Sequence, residues 1–211
     1  MDLVILTFRQ GELAVLLVPA EGGGNRTRRE LPWRPLESGE SLERAAAGLA
    51  RETLGAPAAW MEQVRAYDGR LRHPGDVSVS LAFVALTPTP ESRAAAAAGE
   101  WVPLDQLPPL PPRQRAMVDD AVAALRTRVD LAPIAFLLLP RTFTLSQLQE
   151  VYELLLGRSL HKASFRRALQ AARLVQPLAE WRSEGRGRPA QLYRYAPAKR
   201  RTSGRSARFE F

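Results

Sequence analysis

The chain has 211 residues, 45% of them apolar, and a net charge of +8, enough for one large domain or two small ones. No apolar run approaches the about 18 residues of a membrane span, and "MDLVILTFRQ" has no basic leader ahead of its apolar run, so a cytoplasmic protein without membrane partners is expected. The absence of cysteine excludes disulfides and thiolate chemistry, and two distant histidines, His73 and His161, argue against a histidine metal cage.

"LVILTF" (Leu3–Phe8) and "LAVLLV" (Leu13–Val18), separated by "RQGE", predict a β-hairpin with Gly11 in its turn. "EGGGNRTRRE" predicts a flexible loop. Ser41 caps a predicted helix that runs to Leu54, with Gly55 just past its end. Leu42, Ala45, Ala46, Leu49 and Thr53 fall on one face of it. "MEQVRAY" and "DVSVSLAFVAL" predict further strands, the second turning continuously apolar as a central strand does. "PLDQLPPLPPRQ" is a proline-rich rim expected to lack regular structure. A helix is expected from about Arg115 to Arg128, with Met117, Val118, Ala121, Ala124 and Leu125 inward. Strands, helix, strands and helix together predict an α+β domain.

From Pro133 the pattern changes. "PIAFLLL" is a short apolar run. Thr144 and Gln147 form a predicted capping box for a helix that Gly157 ends, with Leu145, Leu148, Val151, Tyr152 and Leu155 as its apolar stripe. After "RSLH", the helix "KASFRRALQAAR" turns Phe165, Leu169 and Ala172 inward and leaves Lys162, Arg166, Arg167 and Arg173 for other faces. "LVQPLAEW" and "AQLYRYA" then flank "RSEGRGRP" as two strands. Helix, short link, basic helix and hairpin with a basic tip describe a winged helix-turn-helix. "AKRRTSGRSARFEF" is expected to be a disordered tail.

The charge divides with the pattern. Residues 1–140 hold 15 basic and 17 acidic side chains, a balance of −2, and residues 141–211 hold 15 and 5, a balance of +10. A basic final third points to an anionic partner, nucleic acid first.

The stretch "LPWRPLESGESLERAAAGLARETLGA" resembles a Nudix box, whose glutamates share one helix face and hold divalent cations for diphosphate cleavage. Gly55 takes the closing Gly and Glu40 the first Glu. Arg34 falls at the opening Gly, Gly48 and Leu49 at the Arg-Glu pair, and Glu52 and Thr53 at the Glu-Glu pair. With Glu40 and Glu52 as the residual metal candidates, this is a weak magnesium site. A Nudix-like fold without hydrolysis is expected; binding a ligand needs fewer groups than catalysis.

Together with "FTLSQLQEVYELLLGRSLHKASFRRALQ" and "GRGRPAQLYRY", the box makes the chain resemble, over about residues 1–196, the Nudix-related transcriptional regulators of NAD metabolism (the NrtR type). "EQVRAYDGR" (Glu62–Arg70) resembles the family's strand ending in an Asp-Arg pair, with Gly69 inserted. The family's acidic-histidine pair before the domain-linking helix is replaced by "PPRQ" (Pro111–Gln114). The resemblance implies a Nudix-like α/β/α sandwich over residues 1–130, a winged helix-turn-helix over 131–197 and a basic tail over 198–211. It implies a homodimeric repressor on a palindromic duplex operator, sensing ADP-ribose or a related NAD-derived nucleotide and requiring no cofactor. Candidate effector contacts are Glu37, Glu62 and Arg70. Candidate DNA contacts are Thr144, Lys162, Ser164, Arg166, Arg167, Arg186, Gly187, Arg188 and Gln191. The arginines suit guanine edges, phosphates or a narrow minor groove. Three other readings stay open: an ADP-ribose pyrophosphatase-like hydrolase with a basic accessory domain, a sugar-responsive regulator of the same architecture, and an RNA- or protein-binding module on an inactive Nudix fold.

Overall fold

The computed structural model of the chain describes residues 1–20, 28–88, 99–129, 133–183 and 189–197. The loop, wing-tip and tail expectations on residues 21–27, 184–188 and 198–211 lie outside them. The chain divides into two compact units, Met1–Ala124 and Leu125–Phe211.

The first unit is built on a six-stranded sheet. Strands β1 (Asp2–Arg9) and β2 (Glu12–Pro19) form the expected hairpin. Gln10 and Gly11 both take positive φ, 52° and 86°, as a two-residue turn matching strand twist requires. β3 (Arg29–Glu30) and β6 (Glu100–Pro103) pair with β2. On the other side of β1 lie β5 (Ser80–Leu86), parallel to it, and β4 (Trp60–Tyr67), antiparallel to β5. β1 is central and buried from end to end except at Arg9, which explains its unbroken apolar run.

Helix α1 (Leu42–Leu54) has the predicted bounds. The Ser41 hydroxyl accepts from the Arg44 N–H, and Gly55 closes the helix at φ 71°. Its buried Ala45, Ala46, Leu49 and Ala50 pack with Leu3, Ile5, Phe83 and Ala85 of the sheet. Helix α2 (Pro112–Arg128) puts Gln114 against the Asp2 side chain. Neighbouring residues of a strand point to opposite faces, so the first turn of α2 lies on the face away from α1. Helices on both faces of the sheet make the α/β/α sandwich.

The second unit begins with a short helix α3 (Ile134–Leu137). Then come β7 (Phe143–Thr144), α4 (Leu145–Leu156), α5 (Lys162–Ala172), β8 (Val175–Arg182) and β9 (Ala190–Tyr195). The strands form a sheet in the order β7-β9-β8. Its core is aromatic: Phe136 lies 5.7 Å from Phe143 and Tyr152 lies 5.4 Å from Phe165, centroid to centroid.

Four local expectations are corrected. α2 begins at Pro112, not Arg115, because proline fits the first helical position, where its missing N–H is not needed. The proline-rich rim contains a 3₁₀ turn over Leu104–Gln106. The strand read from "DVSVSLAFVAL" starts only at Ser80, where its pairing with β4 begins. Ala172 is exposed at the end of α5 rather than inward.

Candidate nucleic-acid interface and a pocket beside Arg34

In the second unit α4 starts on a reciprocal cap. The Thr144 hydroxyl accepts from the Gln147 N–H at 3.2 Å, and the Gln147 side-chain oxygen accepts from the Thr144 N–H at 2.9 Å. Gly157 ends the helix at φ 66°. The link to α5 is held by Glu153. Its carboxylate accepts from the Leu160 N–H at 2.7 Å and from the Gln149 amide at 2.9 Å, while that amide also donates to the Leu160 carbonyl. These bonds, the Gln149 amide first, hold the Glu153 carboxyl below its ordinary pKa.

α5 buries Phe165 and Leu169 and exposes Lys162, Ser164, Arg166 and Arg167. Among the described residues Lys162 and Arg166 have no ion-pair partner. They line a groove of about 500 Å³ whose other walls are Thr144, Leu145 and Ser146 at the head of α4, and Trp181, Gln191 and Tyr193 of the β8–β9 hairpin. Trp181 is 56% exposed, just beyond an irregularity that shifts the β8 register between Pro177 and Trp181. Two cations and an exposed indole around an open groove suit a polyanion with apolar sugar or base faces.

In the first unit Arg34 donates to Glu40 at 2.5 Å. That bond is the first cause holding the Glu40 carboxyl below its ordinary pKa. Leu49 is buried in the core of α1, and the Thr53 hydroxyl bonds back to the Leu49 carbonyl at 2.7 Å. Both side chains at box positions that would hold carboxylates are therefore turned inward. Beside Arg34 a pocket of about 330 Å³ is lined by Trp33, Leu36, His73, Val77, Val79 and Leu81. Asp2, His73, Arg113 and Gln114 are buried polar side chains; His73 and Gln114 both bond Asp2, and Arg113 bonds Ser80 and two backbone carbonyls.

Residues 135–195 match the NrtR DNA-binding winged helix domain family. Along nearly the whole chain the protein is similar to Shewanella oneidensis NrtR in its crystal structure with a 27mer DNA: 28% identity, 93% of this chain and 92% of that one covered, TM-score 0.80. Its second unit thus matches an NrtR domain, and nearly its whole length resembles NrtR. It is also 29% identical, over 92% of its own length and 80% of the relative's, to the ADPR responsive transcriptional repressor NtrR of Acinetobacter baylyi. Over 62% of its length it is similar to a mutT/nudix family protein from Listeria innocua, at 26% identity and TM-score 0.52, with 95% of that chain covered.

The divalent cation that a Nudix enzyme uses does not fit the residues at these box positions. Leu49 and Thr53 offer no carboxylate, Glu40 is engaged by Arg34, and Glu52 is left exposed on α1. Among the described residues no group of three His, Asp or Glu side chains is placed to hold a metal.

The predicted site residues fall into groups. Lys162, Arg166, Thr144 and Gln191 come together in the groove. The Thr144 hydroxyl is engaged in the cap, and the Gln191 amide donates to the Leu178 carbonyl. Ser164 and Arg167 are exposed on α5 and in contact with each other. Arg186, Gly187 and Arg188 lie outside the described residues. Glu37, Glu62 and Arg70 are not among the walls of the pocket. Arg70 is paired with Asp68 at 2.8 Å beyond the end of β4, and Glu37 is exposed. Sequence reasoning missed Trp181, Trp33, Arg113 and Gln114. The replacement "PPRQ" was the one visible signal for the last two.

Proposed function

We propose that this chain is a transcriptional repressor that binds duplex DNA through its second unit and responds to ADP-ribose, or a related NAD-derived nucleotide, through its first. The groove beneath α5, with Lys162 and Arg166 unengaged by acids and Trp181 exposed, carries the DNA assignment. The response to ADP-ribose is supported by the name of the Acinetobacter baylyi relative. In this reading the protein is a cytoplasmic homodimer on a palindromic operator, it acts on NAD-related genes, and the wing residues Arg186 and Arg188 add phosphate or minor-groove contacts. No helix among the described residues is long and apolar enough to cross a membrane.

The same reading holds that the first unit binds without cleaving and needs no metal, because the box positions at Leu49 and Thr53 face the core. Selection of bound duplexes from a random pool, followed by anisotropy titration with and without ADP-ribose, tests the assignment. A palindromic consensus released by ADP-ribose is expected. Equal affinity for all duplexes overturns specific regulation. Hydrolysis of ADP-ribose with magnesium or manganese at about 1 per second or more overturns the loss of catalysis.

A further inference from the structure

The pocket beside Trp33 is preorganised. The indole N–H donates to the Glu30 carboxylate at 3.0 Å, and the ring stands edge-on to His73 at 5.1 Å. A Cβ on residue 75 would come within 2.4 Å of the indole, so the backbone at Gly75 lies directly against the ring. Neither nitrogen of His73 is left for a ligand. The Gly75 N–H donates to Nδ1, so the proton sits on Nε2, which donates to Asp2 at 2.8 Å. The remaining walls are aliphatic, with Val79 at the mouth 63% exposed. The cations of the lining are the Arg34 guanidinium and the Met1 ammonium, which donates to the Arg34 carbonyl at 2.7 Å. A fixed indole, apolar walls and a single guanidinium suit a flat heterocycle bearing an anionic extension.

Both sides of this pocket are fastened to the first turn of α2. Arg113, almost fully buried, donates to the Leu71 carbonyl at 2.7 Å, the Val77 carbonyl at 2.8 Å and the Ser80 hydroxyl at 2.9 Å. Its backbone N–H donates to the Arg72 carbonyl. The next residue, Gln114, accepts from the Leu31 N–H and donates to Asp2, each at 2.9 Å. One residue thus holds the segment that carries Val77, and its neighbour holds the segment that leads into Trp33. A group wedged between those segments changes the demands on two adjacent side chains of one helix. That helix continues to Arg128, past the end of the first unit.

We propose that this pocket takes the base of the nucleotide effector against Trp33, with its phosphates toward Arg34, and that Arg113 and Gln114 transmit its occupancy to α2. This rests on the proposed ADP-ribose response and adds where and how the response arises.

The test uses the full chain, calorimetry and operator anisotropy. ADP-ribose affinity should fall about tenfold or more in Trp33→Ala and in Val79→Trp, which blocks the mouth. AMP should compete with ADP-ribose, and ribose 5-phosphate should not. At ADP-ribose concentrations that saturate its binding, Arg113→Lys should no longer release its DNA. In the wild-type protein, ADP-ribose should change amide exchange in residues 71–77 and 112–116, a readout that does not require any variant to fold. If wild-type DNA binding ignores ADP-ribose, the proposed function loses its effector. If the wild type responds and both pocket variants respond equally, or only ribose 5-phosphate competes, the pocket assignment is overturned. Unchanged exchange, or full release from the Arg113→Lys variant, overturns the transmission through α2.

Discussion

Replacing Glu153 by alanine should loosen the helix-turn-helix without touching its basic face. The Glu153 carboxylate accepts from the Leu160 N–H at 2.7 Å and from Gln149 at 2.9 Å. Leu160 is buried, so alanine leaves its N–H without an acceptor, at a cost of about 1–3 kcal/mol. For a unit of this size each kcal/mol lowers the melting temperature by about 4–8 °C. Differential scanning calorimetry should therefore show a fall of about 5–20 °C in the transition of the second unit. Operator affinity should fall with it, because α5 starts directly after the link. Glu153→Gln keeps one oxygen acceptor and should lose less. The two variants also separate by pH. The folded pKa of Glu153 is lowered, so its contribution is present above the unfolded carboxylate value and lost as pH falls through the folded one. Wild-type stability should decline through that acid window more steeply than that of Glu153→Gln. A Glu153→Ala protein melting within about 1 °C of wild type, with unchanged acid sensitivity, would refute the reasoning.

Lys162→Ala and Arg166→Ala should each lower the slope of log affinity against log salt by about one, whereas neutral Trp181→Ala should weaken binding at every salt concentration with the slope unchanged. A Trp181 variant with wild-type affinity removes that side chain from the interface. Gly75→Ala should destabilise the first unit by about 1–3 kcal/mol in urea titration, because its methyl would meet the Trp33 ring at 2.4 Å. Unchanged stability there means that the 71–77 segment yields. Leu49→Glu with Thr53→Glu restores two box carboxylates but buries them in the core face of α1, so a loss of about 3 kcal/mol or more is expected instead of activity. A stable double variant that hydrolyses ADP-ribose contradicts that account.

The local signals in the sequence were strong where chain chemistry decides structure alone. Ser41 and Gly55 bracket α1, Thr144, Gln147 and Gly157 bracket α4, and Gln10–Gly11 makes its turn whatever lies around it. β3, β6 and β7 were not legible, since strands of two to four residues exist only through partners distant in the chain. "PIAFLLL" has no period to separate helix from strand, and it became the helix Ile134–Leu137. Of the site, the exposed cations of α5 follow from its pattern, because Phe165 and Leu169 fix which face is inside. Arg113 and Gln114 had no such pattern. Their burial depends on carbonyls, a backbone N–H and a carboxylate contributed from positions 2, 31, 71 and 77, and a buried polar residue looks like an exposed one until those partners are placed. Trp181 was hidden for the related reason that the shifted register of β8 decides which way it points.

In the proposed reading the eroded box has a physical logic beyond the loss of catalysis. A carboxylate about 6 Å from a phosphate repels it by roughly 1–3 kcal/mol at the dielectric of a protein surface. An enzyme cancels this with divalent cations. A protein that must hold an anionic nucleotide without them benefits from each carboxylate removed. Leu49 and Thr53 take two such charges away, and both become core residues that brace α1. Of the acids that remain around Arg34, Glu40 is paired with it directly, and Glu37 and Glu52 act on it only through their field. An arriving phosphate must therefore compete with one carboxylate for a guanidinium, rather than with a full set of metal ligands for a cation. Under that competition, effector affinity should depend on the Arg34–Glu40 pair and not on magnesium.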